Sequence, residues 1–281
     1  MTTFAIKVGA DPELFVKKND MFVSGYGLIE GTKAAPFKVE NGAVQVDGHA
    51  LEFNIDPADD ADGFVRNIQS VVEQLRSMVP DHQLVAEPVA QFTKKYLSSM
   101  PDEANELGCD PDFCAWEDGA ANPRPDGDVD FRTGGGHVHI GWTKDVDITD
   151  EEHAEAGLML TKELDYYLGL ASMFWDDNDQ RRAMYGKAGA YRVKHYGVEY
   201  RSLSNAWLKD EQLMRFVDKA TRLAADNLAQ GKSIAAVYGN CAQKAIDRND
   251  RNLAKDIIEV VLEGEFGLEG WFDSIPCKVG G

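Results

Sequence analysis

Two histidines, His137 and His139, stand one residue apart directly after three consecutive glycines, Gly134 to Gly136. In an extended segment residues two apart share a face, so both imidazoles point one way while Val138 and Ile140 point the other. The same spacing of polar groups recurs in three more segments: Asp11 with Glu13, Glu52 with Asn54 inside Ala50 to Ile55, and Glu199 with Arg201 inside Val198 to Leu203. Carboxylates gathered on one surface repel each other and are driven towards protonation unless a cation neutralises them. Donors rich in oxygen, with one or two imidazoles, suit Mg²⁺ or Mn²⁺ better than zinc. Such ions keep positions open for phosphate oxygens, which points to nucleoside triphosphate chemistry. Arg181, Arg182, Lys187, Arg192 and Lys194, threaded with Gly186 and Gly189, read as a basic loop that brings cations to a phosphate or a substrate carboxylate.

Each segment taken singly has a plainer reading. An alternating strand is often the wet face of an antiparallel sheet, neighbouring histidines can bond within a loop, and Glu199 with Arg201 can be a surface ion pair of little energetic value. The glycine triplet weighs against this, because glycine weakens a strand and marks close backbone approach by another group. For the remaining histidines the plain reading stands: His49 reads as a turn residue, and His82, His153 and His195 have no matching ligand partners nearby. Phe174 and Trp175 read as core.

To put these groups together, the four segments must belong to one sheet whose ionisable face collects Asp11, Glu13, Glu52, Asn54, His137, His139, Glu199 and Arg201, and whose apolar face is covered by helices. Apolar spacing of three and four predicts those helices. One runs through Phe64, Ile68, Val71, Leu75 and Met78, a second through Leu158, Leu164 and Leu168, a third from Leu213 to Ala224 and a fourth from Leu253 to Val261. Asp62, Thr149 or Asp150, and Asp210 are the expected amino-terminal caps of the first three. The stretch 101–136 lacks periodic pattern and reads as a long lid or substrate loop within a single domain spanning 1–281.

Composition bounds the partners. With 48 acidic against 29 basic residues the formal charge is −19, which repels nucleic acid and anionic lipid. Neither a basic and apolar leader nor an apolar run of roughly 18 residues is evident, so the chain reads as cytoplasmic, untethered and free to form a homo-oligomer. Cys109, Cys114, Cys241 and Cys277 form no C-x-x-C pair and read as reduced thiols rather than zinc ligands or disulfides, with a Cys109–Cys114 redox pair the lesser alternative.

The segments Gly9 to Phe15, Gly134 to Gly141 and Glu199-Tyr200-Arg201 resemble the glutamine synthetase and glutamate-cysteine ligase superfamily, and within it the phage-associated amidoligase branch, over about Gly9 to Trp207. The resemblance implies an α+β fold with a curved, mainly antiparallel sheet, the active site on its concave face and helices on the other. It implies an ATP- and Mg²⁺-dependent (or Mn²⁺-dependent) ligase that joins a carboxylate to an amine through an acyl phosphate. The partners are small carboxylates and amines, or a peptide or modified-nucleotide acceptor. Residue by residue, it implies metal ligation by Glu13, Asp11, Glu52, His137 and Glu199. His139 and Arg192 fall against the nucleotide phosphates, Arg201 falls on the transferred phosphate or substrate, and Lys187 belongs to the same cationic set. Asp11 replaces an expected glutamate, and the second strand offers Glu52 with Asp47 as a further candidate. Two rival functions use the same residues: a two-metal hydrolase, and a non-catalytic binding or virion protein. Glu13→Gln or Arg201→Ala is expected to remove ligase activity with the fold intact.

Overall fold

Strands form where β-branched and aromatic residues alternate with polar ones. The computed structural model describes residues 5–105, 112–123, 129–276 and 278. In chain order its strands are β1 (Lys7–Ala10), β2 (Glu13–Lys18), β3 (Met21–Val23), β4 (Phe37–Val39), β5 (Gly42–Asp47), β6 (Ala50–Ile55), β7 (Gln83–Val85), β8 (Val89–Gln91), β9 (Phe113–Cys114), β10 (Ala120–Ala121), β11 (Phe131–Thr133), β12 (Val138–Gly141), β13 (Ala190–Lys194) and β14 (Gly197–Tyr200). One sheet has the order β1-β12-β14-β13-β9-β10, a second the order β3-β2-β6-β5-β4 with β7 also paired to β2, and β8 pairs β11 apart from both. Every pairing of these strands is antiparallel, and with the helices the fold is α+β.

The single sheet expected from the four alternating segments is therefore two sheets. They meet where β1 passes into β2 through Asp11, Pro12 and Glu13. Pro12 has no N–H to give to a ladder, and the amides beside it turn to the histidine segment: Asp11 N donates to His137 O at 3.3 Å and Glu13 N to Gly135 O at 2.9 Å. On the other side Pro12 O accepts from Phe53 N at 3.1 Å. The crossing thus belongs to both sheets and sends Asp11 and Glu13 to different neighbours.

Val8, Val138, Ile140, Val198 and Tyr200 join Leu14, Leu51, Phe53 and Ile55 in one continuous core with the helices. Three long helices supply the other side of it: α1 (Ala61–Met78), and two that are interleaved in the chain with four short helices. The short ones are α2 (Lys94–Leu97), α3 (Asp102–Asn105), α5 (Leu170–Ser172) and α6 (Asp179–Met184); the long ones are α4 (Glu151–Leu164) and α7 (Glu211–Ala229). Asp150 and Asp210 cap α4 and α7 as expected, whereas α1 is capped by Asp60, whose Oδ1 accepts from Gly63 N at 2.7 Å, and Asp62 lies inside its first turn. The second predicted helix continues past Leu164 through a π turn, Asp165–Gly169, into α5. The fourth spans Arg251–Ile257 and becomes a π-helix over Ile258–Glu265. No described helix is long and apolar enough to cross a membrane.

Two further expectations change. The stretch 101–136 is not patternless: it carries α3, β9, β10 and β11, and Trp116 Nε1 donates to buried Asp165 at 2.6 Å. The basic loop is a loop only over 185–189, which holds Lys187, since Arg181 and Arg182 are buried on α6 while Arg192 and Lys194 lie on β13. Cys114 and Cys241 are free thiols, and Cys109 and Cys277 lie outside the described residues.

The glycine triplet does mark close approach, but by the chain itself. A Cβ on Gly136 would stand 2.2 Å from Ser204 O and 2.5 Å from Trp207 Nε1, and one on Gly134 would stand 2.4 Å from Asn205 Nδ2. Gly136→Ala is therefore expected to lower stability by about 1–3 kcal/mol through overpacking, read as a shift of the urea midpoint. An unchanged midpoint would mean that the 204–207 segment yields.

Candidate active site

Register places the chemistry in rows. Across the first sheet Gly9 faces His139, His139 faces Glu199 and Glu199 faces Arg192. Gly9, without a side chain, leaves room over the row. Across the second sheet Glu13 faces Glu52 and Glu52 faces Gln45. Directly opposite like charges are unfavourable, so the Glu13–Glu52 pair is a liability that the local chemistry has to offset.

Two acidic groups result. One ligand atom each from Asp11, His139 and Glu199 lie within 4.8 Å of one another, and the same holds for Glu13, Asp47 and Glu52. In the first group Asp11 Oδ1, His139 Nε2 and Glu199 Oε2 are all buried and make no hydrogen bond. His139 Nε2 is only 2.9 Å from Asp11 Oδ1, and Lys194 Nζ is 2.7 Å from Glu199 Oε2, yet both contacts are out of line for hydrogen bonding. Buried polar atoms that make no hydrogen bond are costly even where an opposite charge is near. Three of them converging as two carboxylate oxygens and one imidazole nitrogen is the donor set of a divalent cation.

Burial opposes ionised Asp11, but the facing His139 and His137 outweigh it and hold its carboxyl well below the usual range. Burial and Asp11 likewise oppose ionised Glu199, and Arg201, His139 and His137 bring it down to about 2. In the second group the balance reverses: burial and Asp47 push Glu13 up to about 7, and burial with Asp11, Asp47 and Glu13 raises Glu52 well above its ordinary value. Lys33, 2.8 Å from Asp47, is a cation beside that group.

His137 Nδ1 lies 3.2 Å from Asp11, 3.5 Å from Glu199 and 3.3 Å from Arg201, so it sits beside the first group. Arg201 is buried, donates to Glu199 and reaches Asp112 at 3.3 Å, while Arg192 is 3.8 Å from Glu199. Asp11, Glu13, Glu52, His137, His139, Arg192, Glu199 and Arg201 are thus gathered. Lys187 is not: it is exposed, and its charge acts on Asp247.

Two cavities flank the acidic groups. One is lined by Glu13, Asp47, Asp112, Arg132, Arg181 and Arg201, the other by Asp11, Glu52, His139, Lys144, His195 and Tyr196. Asp112, Arg132 and Tyr196 were not singled out by sequence reasoning, and Arg181 and Lys194 were read only as members of the basic loop. Arg181 and Lys194 carried a signal, since both belong to the basic cluster and Lys194 is two residues from Arg192 on the same strand face. Tyr196 carried none. Two histidines set aside as lacking ligand partners are used elsewhere: His153 Nε2 donates to Lys194 O at 2.7 Å, and His195 lines the second cavity. His49 is buried between Ser24 Oγ, at 2.9 Å, and Asn105 Oδ1, at 3.1 Å.

No curated protein matches the chain. Residues 127–264 match the family model described as phage phiEco32-like COOH.NH2 ligase-type 2. The matched stretch holds the histidine strand, Arg192, Glu199 and Arg201 and runs on through the later helices, beyond the Trp207 limit of the motifs; Asp11, Glu13 and Glu52 precede it. Through this stretch, just under half of its length, the chain is similar to the phage phiEco32-like COOH.NH2 ligase-type 2 family, a family of carboxylate–amine ligases.

Proposed function

We propose that the protein is an ATP- and Mg²⁺-dependent ligase that activates a carboxylate as an acyl phosphate and passes it to an amine. The observation that carries this reading is the convergence of buried Asp11, His139 and Glu199 atoms that make no hydrogen bond, next to the mutually repelling Glu13, Asp47 and Glu52. These six residues would hold the cations, with His139 rather than His137 as the facing imidazole and His137 bracing Asp11. Bound there, Mg²⁺ supplies charge neutralisation for phosphate oxygens.

The two cavities divide the substrates. Lys144 and His195 suit triphosphate on the Tyr196 side, whereas Arg132, Arg181 and Arg201 suit a carboxylate on the other. A carboxylate oxygen attacks the γ-phosphorus and ADP leaves; the amine nitrogen then attacks the acyl carbon and phosphate leaves. Arg201 orients the carboxylate and stabilises charge on the transferred group. Asp112, against Arg201, offers a negative charge to an ammonium acceptor before it gives up its proton. The described part of 101–136 forms a wall of this cavity through Asp112 and Arg132 and belongs to the substrate-holding machinery.

Mass spectrometry of the purified chain with Mg²⁺-ATP and pools of amino acids, polyamines and small carboxylates tests this. ADP, phosphate and a condensed product are expected in equal amounts, dependent on Mg²⁺. Cleavage of a phosphoester or amide without ATP would instead establish the two-metal hydrolase.

A further inference from the structure

His139 turns its two ring nitrogens to different partners. Nδ1 meets the Tyr196 hydroxyl, and Nε2 faces Asp11. A neutral imidazole that gives Nε2 to a cation carries its proton on Nδ1, and in a buried site that proton needs an acceptor. Tyr196 Oη is placed to be that acceptor.

Tyr196 is held by the strand that it serves. It lies in the turn between β13 and β14, where its carbonyl accepts from Trp142 N at 3.0 Å and Thr143 N at 3.2 Å, just past the end of β12, which bears His139. The next residue is Gly197, where a Cβ would stand 2.0 Å from Ile140 O, so the turn closes onto β12 only because no side chain intervenes. The rings of His139 and Tyr196 are 6.0 Å apart and tilted by 38°, which leaves the hydroxyl rather than stacking as the contact that fixes the imidazole.

We propose that Tyr196 is a positioning residue that sets the tautomer of His139, directing Nε2 at Asp11 and Glu199 as a metal ligand and giving that site a preference for Mn²⁺ over Mg²⁺. The preference follows from the donor atoms. Imidazole nitrogen favours later divalent metals, whereas Glu13, Asp47 and Glu52 offer oxygen alone. The inference rests on the metal reading above and adds a selectivity that the carboxylates by themselves do not supply.

Two measurements test it. Free Mn²⁺, followed by its EPR signal during titration of the full chain, is expected to report two site classes in the wild type. Tyr196→Phe, checked for an unchanged melting profile, should weaken one class ten- to a hundredfold and leave the other within twofold, with Mg²⁺ competing more effectively at the weakened class. The ¹⁵N shifts of His139 in Mg²⁺-loaded wild type, assigned through His139→Asn, should show the proton on Nδ1; this readout needs no Tyr196 variant and no activity. A proton on Nε2, or equal Mn²⁺ affinities in wild type and Tyr196→Phe, would overturn the role of Tyr196 while leaving the ligase reading in place. Absence of Mn²⁺ binding to the wild type would overturn both.

Discussion

Replacing Glu13 by glutamine is expected to cut product formation by about a hundred- to a thousandfold or more and, at the same time, to make the metal-free protein more stable at neutral pH. The two effects have one cause. Burial and the neighbouring Asp47 push the Glu13 carboxyl from 4.5 up to about 7, so the folded chain keeps a proton that the unfolded chain gives up between those values. This favours the folded state fully below about 4.5, and the contribution is lost as pH rises through about 7. Glutamine cannot ionise and escapes that loss. In urea unfolding with chelator, the variant and wild type should be alike near pH 4.5, and the variant should gain on the order of 1–3 kcal/mol above pH 7. Adding Mg²⁺ should reverse the order, because only the carboxylate gains binding energy that the unfolded chain lacks. A variant that turns over like the wild type would remove Glu13 from the site. One that is inactive but gains nothing from chelation would mean that Glu13 does not face Asp47 as a buried acid.

The same residues show how far the sequence was legible. Period-two alternation sorts the two faces of each strand, and it brought Asp11, Glu13, Glu52, His137, His139, Glu199 and Arg201 into one neighbourhood. Alternation says nothing about which strand pairs with which. The division into two sheets depends on Pro12 interrupting the ladder and on long-range amide bonds to His137 and Gly135. For the same reason the separation of Asp11 from Glu13 into different acidic groups was not foreseen, although the two are only two residues apart.

Charge composition was informative but coarse. It marked 181–194 as cationic without telling buried Arg181 from exposed Lys187, a difference set by α6 ending before Tyr185 and by the direction in which the chain enters β13. Helix periodicity located the long helices well, since their apolar faces are continuous. It gave no sign of Asp165, where an acidic residue turns inward to accept from Trp116 and Tyr200, at 2.6 and 2.7 Å, and the continuing helix widens into a π turn. Buried polar side chains with distant partners leave no periodic trace, and Tyr196 is the clearest such case in the site itself.

Arg201 is where the structure changes the expected experiment most. From the sequence its removal was expected to abolish activity and leave the fold intact. Its guanidinium is instead buried among Glu199, Asp112 and His137. Arg201→Met should abolish turnover and also destabilise the chain by on the order of 3 kcal/mol, because carboxylates matched to a cation are left facing an apolar group. Lys194 still meets Glu199 on its other oxygen, which limits the loss. Two further variants separate the effects. Arg201→Lys keeps the charge, so most of the stability should return, but a single ammonium cannot span Glu199, Asp112 and a substrate oxygen as a planar fork does, and turnover should stay at least about a hundredfold down. The double variant Glu199→Gln with Arg201→Met removes the orphaned charge and should recover much of the unfolding free energy lost in Arg201→Met, with activity still absent because a cation donor is gone. If the double variant is as unstable as the sum of its parts, the two side chains do not act as a pair, and Arg201 is held chiefly by Asp112.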